Sequence, residues 1–121
     1  MNVIDSVLNQ RALGLGRSNT QKIMEYFNNR GGGFDTAARA CNDLVINNFG
    51  DWFLPSFDEL NWMYGNLHRR GLGEFKNDRY SYYWSSTQES STGTYVVDFS
   101  NGHQTHADII YIQNVRAIRQ F

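Results

Sequence analysis

The chain has one cysteine and one proline among its 121 residues, and no long apolar run. With Cys41 alone, neither an intrachain disulfide nor a zinc site built from several cysteines can form. No stretch approaches the roughly 20 apolar residues of a membrane-spanning helix, so we expect no membrane insertion by this domain. Residues 1–10 also lack the charged start and apolar centre of a signal peptide.

An excess of positive charge is missing as well. The 11 Lys and Arg residues are balanced by 12 Asp and Glu residues, which gives a formal net charge of -1. Domains that bind nucleic acid usually carry a basic patch, so we predict no nucleic-acid partner. The length is that of one domain, residues 1–121, with one substantial core.

Three segments in the first half of the chain have the apolar period of amphipathic helices, near residues 19–29, 36–47 and 57–67. Ser18 with Gln21, and Ser56 with Glu59, match the capping box that opens many helices. Cys41 falls on the apolar face of the second segment, where we expect a buried thiol.

After Gly71 the pattern changes to short runs of β-prone residues, at 82–85, 94–100, 103–108 and 115–119. Asn101-Gly102 is a strong signal for a two-residue hairpin turn. Helices followed by an antiparallel sheet make an α+β domain. The residues predicted to be largely buried are Trp52, Leu54, Leu60, Tyr64, Trp84, Val97, Val115 and Ile118.

Three sequence blocks suggest a family: DWFLPSFDEL at 51–60, YWSST at 83–87 and VRAIRQF at 115–121. In order and spacing they resemble the bacterial Lcl C-terminal domain family, which is akin to the C-type-lectin-like and formylglycine-generating-enzyme folds. The resemblance covers residues 14–121. It implies two to three helices packed on a small twisted antiparallel sheet. It also suggests that the first and last blocks meet, with Arg116 or Arg119 pairing with Glu59 or Asp51.

The C-terminal third contains a candidate metal site. Four possible metal ligands fall within eleven residues: Asp98, His103, His106 and Asp108. A two-residue turn at Asn101-Gly102 would set Ser100 opposite His103 and Val97 opposite His106. Side chains alternate along a strand, so the two histidines would point to opposite faces. Only His106 and Asp108 would then share a face, too few for zinc, and we predict no metal.

No catalytic residue is predicted either. Ser85 and Ser86 do not lie in a Gly-x-Ser-x-Gly elbow. The resemblance implies a copper-bound cysteine pair in catalytic members, whereas this chain has only Cys41. The lectin calcium motifs Glu-Pro-Asn and Gln-Pro-Asp are also absent. We therefore expect a non-enzymatic domain without a cofactor; a calcium site made from loop carbonyls stays open.

The C-terminal third has the composition of a binding surface. Between residues 80 and 114, 21 of 35 residues are Ser, Thr, Tyr, Asn, His or Asp. Antibody paratopes have a similar chemistry, in which Tyr supplies rigid contact area and small polar groups supply hydrogen bonds. An ordinary polar sheet with polar loops would give the same composition. The predicted ligand-binding residues are Tyr80, Tyr82, Ser90, Thr92, Tyr95, Asn101, His103, His106 and Tyr111.

The resemblance also extends to lectin-like domains that serve as variable proteins of diversity-generating retroelements. We accordingly predict a ligand-binding domain of that type, or a surface adhesin, whose partner is a cell-surface protein or glycan. Its expected location is extracellular, on a cell surface or on a phage particle, as part of a larger protein. Two alternatives stay open: an enzyme on a formylglycine-generating-enzyme-like scaffold, and a structural module of a surface or phage-tail protein.

Overall fold

The computed structural model describes residues 10–28, 36–76, 81–89, 93–108 and 113–119. Three α-helices come first: α1 (Gly16–Asn28), α2 (Thr36–Asn42) and α3 (Phe57–Asn66), followed by a 3-10 turn at His68–Arg70. Strands β1 (Tyr82–Gln88), β2 (Gly93–Asp98) and β3 (Gln104–Asp108) then form an antiparallel sheet in the order β1-β2-β3. The α+β prediction is confirmed.

The capping box at the start of α3 is present as predicted. The Ser56 hydroxyl accepts the N–H of Glu59 at 3.3 Å, and the Glu59 carboxylate accepts the N–H of Ser56 at 2.8 Å. Two N–H groups that no helical carbonyl can reach are thereby satisfied. This local signal fixes where α3 begins.

We expect Ser56→Ala to lower the free energy of unfolding by about 1 kcal/mol, because it removes the helix cap. The fully buried hydroxyl also donates to the carbonyl of Ala12 at 2.9 Å. Urea denaturation of Ser56→Ala beside Ser18→Ala provides the comparison. Equal losses in the two variants would show that the capping box contributes nothing measurable.

The second predicted capping box, at Ser18 and Gln21, is wrong. Helix α1 already begins at Gly16, so Ser18 lies inside its first turn. The carboxylate of Glu59 accepts the N–H groups of Gly14 at 3.2 Å and Gly16 at 3.0 Å. An acceptor from a distant helix therefore replaces the local cap.

Helix α2 ends at Asn42, five residues before its predicted end. The chain then reverses at Asn47 and Asn48, whose φ angles of 51° and 69° are incompatible with a right-handed helix. Ile46 and Phe49 exchange backbone hydrogen bonds of 3.0 and 2.9 Å across this turn. Asparagine tolerates left-handed backbone better than most residues, which suits it to both positions.

Strands β1 and β2 are buried on both faces, whereas the outer strand β3 is more exposed. On one face, Val97 and Tyr83 pack with residues of α3 such as Leu60. On the other face, Trp84 and Val96 pack with residues that include Cys41 and Leu54. Burial raises the pKa of the Cys41 thiol to about 12, so the thiol stays protonated near neutral pH.

Four of the eight predicted core residues are buried: Leu54, Leu60, Trp84 and Val97. Trp52, Tyr64 and Ile118 are only half-buried, and Val115 is exposed. The β-prone run at 115–119 forms no strand. Isolated bridges at Asn114 and Ile118 hold it in place.

The β2–β3 connection differs from the predicted two-residue turn. Val97 pairs with Gln104 and Tyr95 with His106, so five residues, 99–103, form the loop. The cause is Phe99, which is fully buried and donates its N–H to the carbonyl of Ser81 at 2.9 Å. Phe99 thereby leaves the hairpin ladder, and the register moves by two residues from the predicted one.

The three sequence blocks meet in space. Phe53 bridges Ile118, Tyr83 bridges Asn114, and the N–H of Ser86 donates to the carbonyl of Pro55 at 2.7 Å. The predicted charge pair is Arg119 with Asp51, at 2.6 and 3.0 Å.

Arg119 forms two nearly parallel hydrogen bonds to that carboxylate. The hydrogen bond from Arg119 is the main reason why the pKa of Asp51 lies below its ordinary value. The other predicted partners do not pair with each other: Glu59 binds backbone N–H groups, and Arg116 donates to the carbonyl of Gly73 at 2.7 Å.

No helix in the described part of the chain is long and apolar enough to cross a bilayer.

Candidate binding surface

The loop between β2 and β3 is held in a defined shape by Asp98. One carboxylate oxygen accepts the hydroxyls of Ser81 at 2.6 Å and Ser100 at 2.7 Å, and the N–H of Ser100 at 2.9 Å. Burial raises the pKa of Asp98, but these hydrogen bonds outweigh burial and leave the pKa below its ordinary value. The loop is therefore tied to a buried, ionised carboxylate.

Asn101 and His103 lie at the exposed end of this loop. The Asn101 side-chain oxygen accepts the N–H of His103 at 2.8 Å, and Gly102 between them has a φ of 81°. A Cβ on Gly102 would also lie 2.6 Å from the Tyr64 ring, so glycine is required both for its backbone angle and for this close approach. Both predicted site residues are thus presented to solvent by a constrained turn.

His106 and Tyr95 form the second part of the surface. They are directly opposite each other on β3 and β2, so their side chains share a face of the sheet. Helix α3 packs over β1 and β2, and its first residue, Phe57, stacks on Tyr95 with ring centroids 4.6 Å apart. The side chain of His106, on the outer strand β3, is 59% exposed.

Two charged residues complete this surface, and sequence reasoning missed both. The guanidinium of Arg11 lies 5.7 Å from the centroid of Tyr95, and a carboxylate oxygen of Glu89 lies 3.7 Å from Nδ1 of His106. Arg11 is 84 positions from Tyr95 in the chain, so no local pattern could have linked them. Glu89 directly follows β1, but the predicted strand ended at residue 85, so the prediction did not reach Glu89 either. We call Arg11, Glu89, Tyr95 and His106 the edge patch.

The nine predicted ligand-binding residues do not all lie on one surface of the described structure. Asn101, His103 and His106 are exposed, and Tyr95 is half-buried in the edge patch. Tyr82 is half-buried too, but it packs against the cluster around Cys41 and Trp84, on the opposite face from Tyr95. The remaining four lie outside the described residues: Tyr80, Ser90, Thr92 and Tyr111.

Two other observations concern metal binding and the hydroxyls of Ser85 and Ser86. Over the described ranges, no three His, Cys, Asp or Glu side chains gather closely enough to hold a metal ion. Ser85 and Ser86 are buried and have structural partners: the Ser85 hydroxyl donates to the carbonyl of Tyr95 at 2.7 Å, and that of Ser86 to Pro55 at 3.2 Å. These hydroxyls connect elements of the fold.

In comparisons with protein-family models, with curated proteins and with solved structures, nothing matches this chain.

Proposed function

We propose that this chain is a non-enzymatic ligand-binding domain with a C-type-lectin-like fold. It acts as a surface adhesin or as a variable protein of a diversity-generating retroelement. The order of helices before an antiparallel sheet, and the contacts between the three blocks, support this fold. Its ligand is a protein or glycan on a cell surface.

The edge patch is the observation that carries the proposal. It combines a half-buried tyrosine, an exposed histidine and two opposite charges around the stacked Phe57–Tyr95 pair. Aromatic and arginine side chains that are already held in place make effective binding anchors, because little conformational freedom is lost on association. Asn101 and His103, in the loop that joins β2 to β3, add hydrogen-bonding groups at the end of the same hairpin.

Replacing His103 and His106 together by alanine is expected to weaken ligand binding about tenfold or more, which is about 1.4 kcal/mol. Both side chains are exposed, so the melting temperature should stay nearly unchanged. A glycan array and a pull-down of cell-surface proteins identify the ligand, and titration measures its Kd. The matched control is Gln21→Ala with Lys22→Ala, at exposed positions of α1.

An identified ligand that binds the histidine variant and the control with equal Kd would place the binding face elsewhere. Relatives of this chain test the diversified form of the proposal separately. Variation concentrated at positions 95, 101, 103 and 106 supports a variable protein. An invariant polar cluster at these positions would contradict it and would favour an enzyme.

A further inference from the structure

A second surface feature shares no residue with the edge patch. An open groove of about 700 Å³ lies between the turn at 46–49, helix α3 and the C-terminal segment. Clefts that hold small organic ligands have volumes of about 300–1,000 Å³ and mainly apolar walls. We call this feature the apolar groove, and its lining includes Leu13, Ile46, Phe49, Trp52, Trp62 and Arg119.

The walls of the apolar groove expose large hydrophobic side chains. Leu13 is 61% exposed and Trp62 is 51% exposed, and Ile46 and Phe49 are nearly half exposed. Single exposed hydrophobic residues are common on proteins, but several around one concavity mark an interaction site. This clustering needs an explanation other than core packing.

The groove is held in shape before any ligand arrives. The indole N–H of Trp52 donates to the carbonyl of Phe49 at 2.9 Å, and the guanidinium of Arg119 lies 3.7 Å from the centre of the Phe49 ring. The left-handed Asn47–Asn48 turn places Ile46 and Phe49 side by side. This wall therefore loses little conformational freedom when a ligand binds.

The two charged residues of the lining already have hydrogen-bond partners within the fold. Arg119 is paired with Asp51 through two hydrogen bonds, and the Glu59 carboxylate accepts three backbone N–H groups. A ligand that brought a charge into the groove would lose hydration without gaining a free counter-charge. The groove therefore favours an uncharged occupant.

We infer that the apolar groove is a binding site for an uncharged, ring-containing small organic molecule. The ring lies against Trp62 and Phe49, and Asn47 at the lining supplies a polar group for orientation. Aromatic walls favour flat ligands, since ring pairs gain attraction beyond the burial of apolar area. This inference does not depend on the proposed function of the edge patch.

The test uses two fluorescent probes with the same ring skeleton. N-phenyl-1-naphthylamine is uncharged, and 8-anilino-1-naphthalenesulfonate adds one sulfonate. We expect the uncharged probe to bind saturably with 1:1 stoichiometry and at least severalfold more tightly than the sulfonate. Trp62→Ala should weaken it about tenfold or more, with little change in melting temperature, because Trp62 is half exposed.

Leu72→Ala is the matched control, since it removes another exposed hydrophobic side chain that does not line the groove. The inference fails if the uncharged probe does not saturate, if the two variants lose affinity equally, or if the sulfonate binds more tightly. Light scattering adds a last check. A dimer of the wild-type chain that dissociates in Trp62→Ala would make the groove an interface between copies and would also overturn the inference.

Discussion

The Phe99→Ala variant is expected to lose about 3–5 kcal/mol of unfolding free energy, the range for removing a buried phenyl ring and leaving a cavity. Phe99 is fully buried, and its ring centroid lies 4.7 Å from that of Tyr83 and 4.8 Å from that of Phe75. Tyr64 and His68 approach the same ring at 5.5 and 5.4 Å. These neighbours come from separate elements, so the cavity cannot close by moving one of them. Chemical denaturation measures the loss.

Phe49→Ala is the control, because it removes the same atoms from a half-exposed position. We expect it to cost less than half as much as Phe99→Ala. The Phe99 variant should also disturb the loop that carries Asn101 and His103, since Phe99 anchors the start of that loop. A loss below about 1 kcal/mol would mean that Phe99 does not organise this core.

Glu59→Ala is expected to cost about 2–4 kcal/mol, more than a single helix cap, because one carboxylate serves three backbone donors. Its oxygens lie 2.8 to 3.2 Å from the N–H groups of Ser56, Gly16 and Gly14. Truncation leaves the donors at the starts of two helices without an acceptor. Gly16 is buried, and a Cβ there would collide with Oε1 of Glu59.

Two variants separate the contributions of Glu59. Glu59→Gln keeps one acceptor oxygen, and glutamine also serves in capping boxes, so it should cost about half as much as alanine. Asp58→Ala removes a neighbouring negative charge from the same helix turn and should cost at most about 1 kcal/mol. Urea denaturation compares Glu59→Ala, Glu59→Gln and Asp58→Ala. Equal losses of stability in all three would mean that the hydrogen bonds from Glu59 to the start of α1 contribute no more than one negative charge near the helix start does.

Features that depend on neighbouring residues could be predicted from the sequence. The cap of α3 needs only Ser56 and Glu59, three positions apart, and it is where the prediction placed it. The helices followed by strands were likewise readable from apolar period. The pair of Arg119 with Asp51 is one of the four combinations that were predicted, and that prediction depended on a resemblance that placed the first and last blocks together.

Errors arose where a distant partner competed with a local signal. The local pattern placed the start of α1 at Ser18, whereas Glu59 stabilises a start at Gly16. Asn101-Gly102 suggested a tight turn, whereas the burial of Phe99 draws the chain into a longer loop. In both cases a contact formed in the folded chain outweighs a local preference, which for a helix cap is worth about 1 kcal/mol.

The α+β class, the order of the elements and the polar, tyrosine-rich character of the C-terminal third follow from the amino-acid sequence alone. Which of those residues share a surface depends on how the elements pack in the folded chain. Arg11 lies beside Tyr95, and Leu13 lines the apolar groove together with Trp62 and Phe49, although these residues are far apart in the sequence. The physical reason is that apolar period and helix caps depend on residues a few positions apart, whereas binding surfaces are assembled by packing between elements.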